Sequence, residues 1–328
     1  MVAIAHVPSS ACNAASDIGL PDPNSTTRSG FAFSLILNAD GILRLAQPMS
    51  NHTTLDEAVR LIAQRLPLRG YSREQWVSTY TNRHLESYRH IISTIERHLP
   101  KGAAILDYGA GMCDKTVLAQ LRGYTCTAAD DFQNPLHAEA DYSEGIVEFA
   151  KSFGVNVCRV DGSLPFQRES FDMVMLHDVI EHLHDSPREV LNDLVELLRP
   201  RGYLFITVPS AVNIRKRLDV LFGRTNLPRY DTFYWYPGPW RGHVREYTRG
   251  DLEALSRYLD VDCVELHPCH HMLNVVPRGL RIAYRAVTFA FPSWRDSWCL
   301  VARKPENWKP HREVPPAVLE SILQHLNR

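Results

Sequence analysis

Ala104-Ile-Leu-Asp-Tyr-Gly-Ala-Gly-Met-Cys113 is a short apolar run that closes on an acid and opens into a loop with glycines at Gly109 and Gly111. A doubly wound α/β sheet brings main chain against a nucleotide-like ligand in this way. Gly109 lets the chain turn at the carboxyl end of the strand, and Gly111, without a Cβ, lets a ligand touch the backbone. Gly-x-Gly after an apolar run also arises by chance, so the sequence downstream of it decides the reading.

Downstream, strands and helices alternate, which implies a mostly parallel sheet. After the strand at 104–108, a helix is expected over 115–122, a strand over 124–129 ending at Asp130-Asp131, a helix over 144–153, and a strand over 156–160 ending at Asp161-Gly162. A fourth strand spans 171–176. Ser186 as N-cap, Pro187 at the first helical position and Glu189 as partner of a capping box announce the next helix. Its stripe is Val190, Leu191, Leu194, Leu197 and Leu198, and Pro200-Arg201-Gly202 ends it before a fifth strand at 203–208. A helix over 248–259 and strands over 261–266 and 298–302 complete the pattern.

Upstream, residues 1–30 are rich in Ser, Asn, Pro, Ala and Asp and read as a poorly ordered N-terminus. Residues 31–45 read as a hairpin around Asn38-Ala39-Asp40-Gly41. Helical spacing follows over 54–66 and again over 73–99, with a break expected near Thr81. The expected division is thus 1–30, an extension of hairpin and helices over 31–100, a core over 101–306 and a tail helix within 307–328.

The 328 residues suit one large core with additions, and 45% hydrophobic residues suffice to fill it. A net charge of -1 argues against a general electrostatic grip on nucleic acid or on an anionic membrane, so neither is expected as a partner. Seven cysteines without Cys-x-x-Cys spacing point to free thiols in a reducing cytoplasm. No apolar run reaches membrane-spanning length and no signal-peptide pattern opens the chain, so a cytoplasmic location is expected.

Four features fall at the carboxyl ends of successive strands, where open α/β sheets bind ligands. They are the loop Asp107-Tyr108-Gly109-Ala110-Gly111; Asp130, whose carboxylate suits a pair of ribose hydroxyls; Asp161-Gly162, whose carboxylate suits an adenine amino group; and His177-Asp178-Val179-Ile180-Glu181-His182-Leu183. With Asp161-Gly-Ser-Leu-Pro-Phe, Ser170-Phe-Asp-Met-Val and Leu198-Arg-Pro-Arg-Gly-Tyr-Leu-Phe-Ile-Thr-Val-Pro, the chain from about Tyr88 to Pro305 resembles the class I S-adenosylmethionine-dependent methyltransferases. The resemblance implies an α/β fold: a doubly wound, mostly parallel seven-stranded sheet with an antiparallel last strand. Here it would carry the N-terminal hairpin and helical extension and an aromatic-rich insertion, 211–247, before the sixth strand. The resemblance also implies S-adenosylmethionine as cofactor. Asp107, Gly109, Ala110 and Gly111 would surround its methionine part, Asp130 and Asp131 its ribose, and Asp161 and Gly162 its adenine, with His177 beside them. Cys113 stands where the family often has a third loop glycine, which puts close packing of the next helix in question. It also counts against a dinucleotide site, because Gly-x-Gly-x-x-Gly fails at Asp114.

Asp178, Glu181 and His182 would share one face if their turn were helical. His182 is then a candidate base, with Glu181 beside it and His243 opposite. The spacing also resembles Glu-x-x-Glu-His of ubiquinone-type O-methyltransferases and small-RNA 3′-end methyltransferases. That likeness implies a divalent cation (Mg, Mn or Zn) on Asp178, Glu181, His182 and His243. His267-Pro-Cys-His-His271 reads as a solvated loop.

The insertion carries Tyr234, Trp235, Tyr236, Trp240 and Arg241, a wall suited to a flat acceptor bearing an acidic group. Methylation of a hydroxyl on a small molecule or glycan, as in secondary metabolism, is the expected activity. Methylation at nitrogen or of an RNA end is the alternative enzyme reading, and a catalytically silent cofactor-binding scaffold the alternative outside enzymes. Whether the chain forms a homodimer is left open.

Overall fold

The computed structural model describes residues 35–37, 43–45, 53–67, 72–133, 140–225, 227–271, 273 and 276–326. The expected disordered stretch 1–30 and the turn 38–41 lie outside these. The chain divides into two units, 1–48 and 49–328. In the first, β1 (Leu35–Leu37) pairs antiparallel with β2 (Leu43–Leu45), Leu37 opposite Leu43.

The second unit starts with α1 (Leu55–Arg65) and α2 (Arg73–His98). Thr54 caps α1 in a full capping box with Glu57. Helix α2 is continuous; the break expected near Thr81 does not occur. Five strands follow, with a helix between successive strands except β5 and β6: β3 (Ala104–Tyr108), α3 (Asp114–Leu121), β4 (Thr125–Asp130), α4 (Ala140–Ser152), β5 (Asn156–Arg159), β6 (Phe171–His177), α5 (Arg188–Leu197) and β7 (Leu198–Pro209). Helix α5 runs straight into β7, so the strand begins five residues before the expected Tyr203. The expected capping box on α5 is absent. Ser186 Oγ accepts from the Arg188 amide at 3.4 Å, and the Glu189 carboxylate turns outward to Arg188 and Arg312.

Two short helices, α6 (Ile214–Leu221) and α7 (Tyr230–Tyr234), occupy the insertion. Then come α8 (Arg249–Tyr258), β8 (Asp262–Cys269), α9 (Arg281–Ala290), β9 (Ser297–Arg303) and α10 (Pro316–Leu326). The sheet order is β5-β4-β3-β6-β7-β9-β8. The first five strands are parallel, and β9 runs antiparallel to both β7 and β8.

Strand residues alternate between two cores. Ile105, Met173, Met175 and Phe205 face the layer of α1 to α4, beside Ile62, Tyr88, Ile91 and Ile95. Leu106, Val174, Leu176 and Ile206 face α5 and α8, beside Leu191, Leu194 and Leu252. Central strands covered on both faces read as continuous apolar runs for this reason. Each fully buried side chain of this size contributes about 1.5–3 kcal/mol. Strand order reverses where β3 lies between β4 and β6, and that switch point opens the ligand crevice. Among the described residues the cysteines are free thiols, and no helix is long and apolar enough to cross a membrane.

Candidate active site

The glycine loop is held tightly. The amides of Gly109 and Ala110 donate to the Ala129 carbonyl at 2.8 and 3.4 Å, and the Gly111 amide donates to Asp130 Oδ2 at 2.8 Å. Gly109 has φ +72°, and a Cβ there would lie 2.6 Å from Val179 Cγ2. Glycine at 109 is therefore demanded by the fold itself. Gly111 has φ +52° with open space where a Cβ would project, and so does Gly162 at φ +113°.

Cys113 takes the left-handed conformation a glycine would adopt, φ +56°, as the residue preceding α3, and is fully buried. Close packing of α3 is thus kept, with a strained cysteine in place of glycine, at about 1–2 kcal/mol.

The four aspartates differ in what they do. Asp107 is buried and accepts from Thr116 Oγ1 at 2.5 Å; burial pushes its pKa up to about 7 against the pull of that hydrogen bond. It ties β3 to α3 beneath the loop. Asp130 accepts from the Phe132 amide at 2.6 Å as well as from Gly111. Asp131 accepts from the Gln133 amide at 2.9 Å and lies 3.0 Å from the Arg241 guanidinium. Asp161 is exposed at the end of β5, and the neighbouring Val160 amide donates to the Asp130 carbonyl at 3.0 Å. The open space at Gly111 and Gly162 and the carboxylates of Asp130 and Asp161 fit a nucleoside with a small charged chain.

His177 ends β6 buried, its Nδ1 2.9 Å from Thr207 Oγ1, while its Nε2 has no hydrogen-bond partner among the described residues. Burial pulls its pKa well below the usual imidazole value, so the ring is neutral.

The segment after β6 is not a helix with three acids and bases on one face. Asp178 has φ +60°, and only a single 3-10 turn, Ile180–His182, follows. Asp178 therefore turns away from Glu181. It lies 3.3 Å from Lys115 Nζ and 3.4 Å from His271 Nε2. Burial opposes its charge, but His271 and Lys115 hold its pKa down at about 2. Of the four residues expected around a cation, the structure brings together three. Donor atoms of Glu181, His182 and His243 all lie within 4.8 Å of one another.

Glu181 is fully buried, and neither carboxylate oxygen has a hydrogen-bond partner among the described residues. Burial, with help from the Asp178 charge, pushes its pKa up to about 8. Its carbonyl accepts from the Val244 and Arg245 amides at 2.7 and 3.2 Å, which pins the end of the insertion onto the turn. His182 Nδ1 donates to the Arg241 carbonyl at 2.8 Å, and His243 Nδ1 donates to Glu246 Oε1 at 2.9 Å. Both leave Nε2 facing Glu181 Oε1, each at 3.9 Å. The rings meet edge to face, centroids 4.8 Å apart. Burial, then His182 and Lys216, pull the His243 pKa down to about 4. The insertion closes at its neck, where Ser210 bridges Tyr247 and the Tyr247 hydroxyl donates to the Ile180 carbonyl at 3.3 Å.

Of the aromatic wall, Trp240 and Tyr236 are half-buried and packed edge to face at 5.0 Å. Tyr234 and Trp235 are exposed. The Trp240 ring folds back over Gly242, where a Cβ would lie 2.0 Å from it. The Trp240 carbonyl accepts from His184 Nε2 at 2.6 Å.

Three contributors escaped the sequence. Asp114 accepts from the hydroxyls of Tyr80, at 2.7 Å, and of Tyr88, which draws α2 onto the start of α3. Lys115 holds Asp178. His271 comes from the stretch expected to be a solvated loop; β8 instead runs through Cys269, paired with Ser297. Next to it, donor atoms of His90, His267 and Cys299 also lie within 4.8 Å of one another.

The family described as a methyltransferase domain matches residues 77–266, more than half of the chain. No curated protein matches. Among solved structures, a 1,6-didemethyltoxoflavin-N1-methyltransferase from Burkholderia thailandensis is 20% identical, covering 67% of this chain and 78% of its own, with a TM-score of 0.43. A SAM-dependent methyltransferase from Aquifex aeolicus is 13% identical, covering 65% and 88%, with a TM-score of 0.42. A chain from the Haloferax volcanii complex of the Trm112 methyltransferase activator and a candidate methyltransferase is 14% identical, covering 78% and 100%, with a TM-score of 0.48. With a family match of that extent, over a seven-stranded sheet whose switch point carries an open glycine loop, the chain belongs to the methyltransferase-domain family and is a class I S-adenosylmethionine-dependent methyltransferase.

Proposed function

We propose that the protein methylates a hydroxyl group of a small-molecule or glycan acceptor, in the manner of the ubiquinone-type O-methyltransferases. The observation that carries this is the buried Glu181 carboxyl set between two imidazoles whose Nδ1 protons are already committed. A nitrogen acceptor with a free lone pair needs no proton removed before attack; a hydroxyl does.

S-adenosylmethionine, when bound, supplies a methyl group on a good, neutral leaving group. The chain then has two tasks. It aligns the acceptor, a contribution commonly of about 7–11 kcal/mol. Asp107, Gly109, Ala110, Gly111, Asp130, Asp131, Asp161, Gly162 and His177 fall to the cofactor side, and Tyr234, Trp235, Tyr236, Trp240 and Arg241 to the acceptor side. It also takes the hydroxyl proton. The Nε2 lone pair of His182, the more exposed of the two rings, is placed to accept it, with His243 and Glu181 sharing the charge. The His182→Ala variant should lose about a hundredfold or more in turnover while calorimetry finds cofactor affinity nearly unchanged. Undiminished turnover, or a product methylated on nitrogen, overturns this reading.

The same three donors favour a second reading, a divalent cation on Glu181, His182 and His243. The unpartnered carboxylate and the Nδ1 anchors on backbone and carboxylate are how protein ligands are oriented toward a metal. Treatment with EDTA followed by Mg, Mn or Zn separates the two: turnover lost and restored favours the cation, and turnover unaffected favours the bare base.

A further inference from the structure

Two amphipathic helices turn their apolar stripes outward. At the end of α6, Leu221 and the C-cap Phe222 are 75% and 71% exposed; on α9, Ile282 and Phe289 are 83% and 82% exposed. An amphipathic helix on a globular protein ordinarily buries that stripe, and apolar surface of this extent marks a contact site. The helices are neighbours. The Arg217 guanidinium of α6 lies over the Trp294 ring at 5.6 Å, and Trp294 stacks on the exposed Phe291 at the end of α9, centroids 4.7 Å apart. Charge follows the same surface. Residues 211–247 hold seven Lys and Arg against three Asp and Glu, and residues 276–296 hold four against one, in a chain whose net charge is -1. Lys216 is buried against Glu246, and Arg215, Arg229, Arg241, Arg245 and Arg285 meet Asp219, Asp231, Asp131, Asp251 and Glu86; the exposed Arg217, Arg224 and Arg278 leave the rim of the two helices basic.

We propose that α6 and α9 seat the enzyme on the surface of an anionic membrane, and that the acceptor is carried on a lipid there. Apolar stripes rimmed by arginine suit the boundary between headgroups and acyl chains, where the apolar area and the positive charge act together. A second copy docked on the same face would set arginines against arginines. The chain-averaged charge had concealed this surface. The acceptor half of the proposal rests on the function proposed above. The insertion that bears α6 also supplies Arg241, whose carbonyl orients His182, and Trp240, whose carbonyl meets His184.

Flotation of the full-length protein with phosphatidylcholine vesicles containing about a third phosphatidylglycerol tests the surface. The protein should float with these and not with pure phosphatidylcholine, and salt should release it. A Leu221→Ser, Phe222→Ser, Phe289→Ser triple variant should bind about tenfold less while its cofactor affinity and melting temperature stay those of the parent. Phe289→Ser alone, on a helix largely outside the core, gives the same direction if the triple variant is unstable. Parent protein that ignores anionic vesicles, or variants that float like the parent, overturn the proposal. So does a dimer in solution that the same substitutions dissociate, because the face then belongs to a second copy. Cofactor calorimetry runs in parallel, so loss of vesicle binding with intact cofactor binding rejects the surface and leaves the methyltransferase reading standing.

Discussion

The Arg241 guanidinium lies 3.0 Å from the Asp131 carboxylate, joining the insertion to the end of β4 across 110 residues of sequence. Asp131 adjoins Asp130, which holds the glycine loop, and the Arg241 carbonyl orients His182. One residue thus touches both halves of the proposed site.

Arg241→Ala should change kinetics more than stability. The pair is well exposed on both sides, and such pairs contribute about 0.2–1 kcal/mol, so the melting temperature should move little. The effect should appear in the acceptor's KM, because the insertion loses its tether to the cofactor side. Lysine at 241 should restore part of it. A drop confined to cofactor affinity would mean that the tether serves β4 and not the acceptor wall.

Gly109→Ala should be damaging in two separable ways. The left-handed φ costs about 1–2 kcal/mol for any residue with a Cβ, and the 2.6 Å approach to Val179 Cγ2 adds an overpacking cost of about 1–3 kcal/mol. Gly109→Ala combined with Val179→Ala should regain the second part and not the first. Thermal melts read the stability, and calorimetry with S-adenosylmethionine reads the loop. If the double variant gains nothing over Gly109→Ala, the clash is not the cause.

The sheet was legible because strands buried on both faces, such as Phe171-Asp-Met-Val-Met-Leu, leave unbroken apolar runs, and because loop glycines and strand-end acids recur at each crossover. What failed was local conformation without a compositional mark. Nothing in Asp178 announces φ +60°, yet that one angle separates it from Glu181 and hands it to Lys115 and His271. Helix α9 went unread because its stripe, Ile282 and Phe289, is diluted by Arg281, Tyr284 and Arg285. The grip of Asp114 on Tyr80 and Tyr88 joins elements 26 and 34 residues apart, a distance over which side-chain pairing leaves no pattern. The Glu181, His182 and His243 group was found because chemistry-bearing residue types are few, not because its geometry could be foreseen.

Glu181 should leave a signature in the pH dependence of stability. An acid whose folded pKa stands above its unfolded value binds more protons folded than unfolded, so its burial penalty grows as pH rises between the two. For Glu181 that window runs from 4.5 to about 8. Asp107 acts in the same sense between 3.8 and about 7. Glu181→Gln removes the first contribution and keeps the shape. Denaturant unfolding should show the variant gaining on the parent by about 1 kcal/mol or more toward pH 8.5, with the two converging below pH 4.5. Turnover should move the other way, since the amide neither shares a proton with His182 and His243 nor ligates a cation as a carboxylate does. Stability curves that stay parallel across the window would show that the Glu181 carboxyl keeps an ordinary pKa, and the proton-sharing role would fall with it.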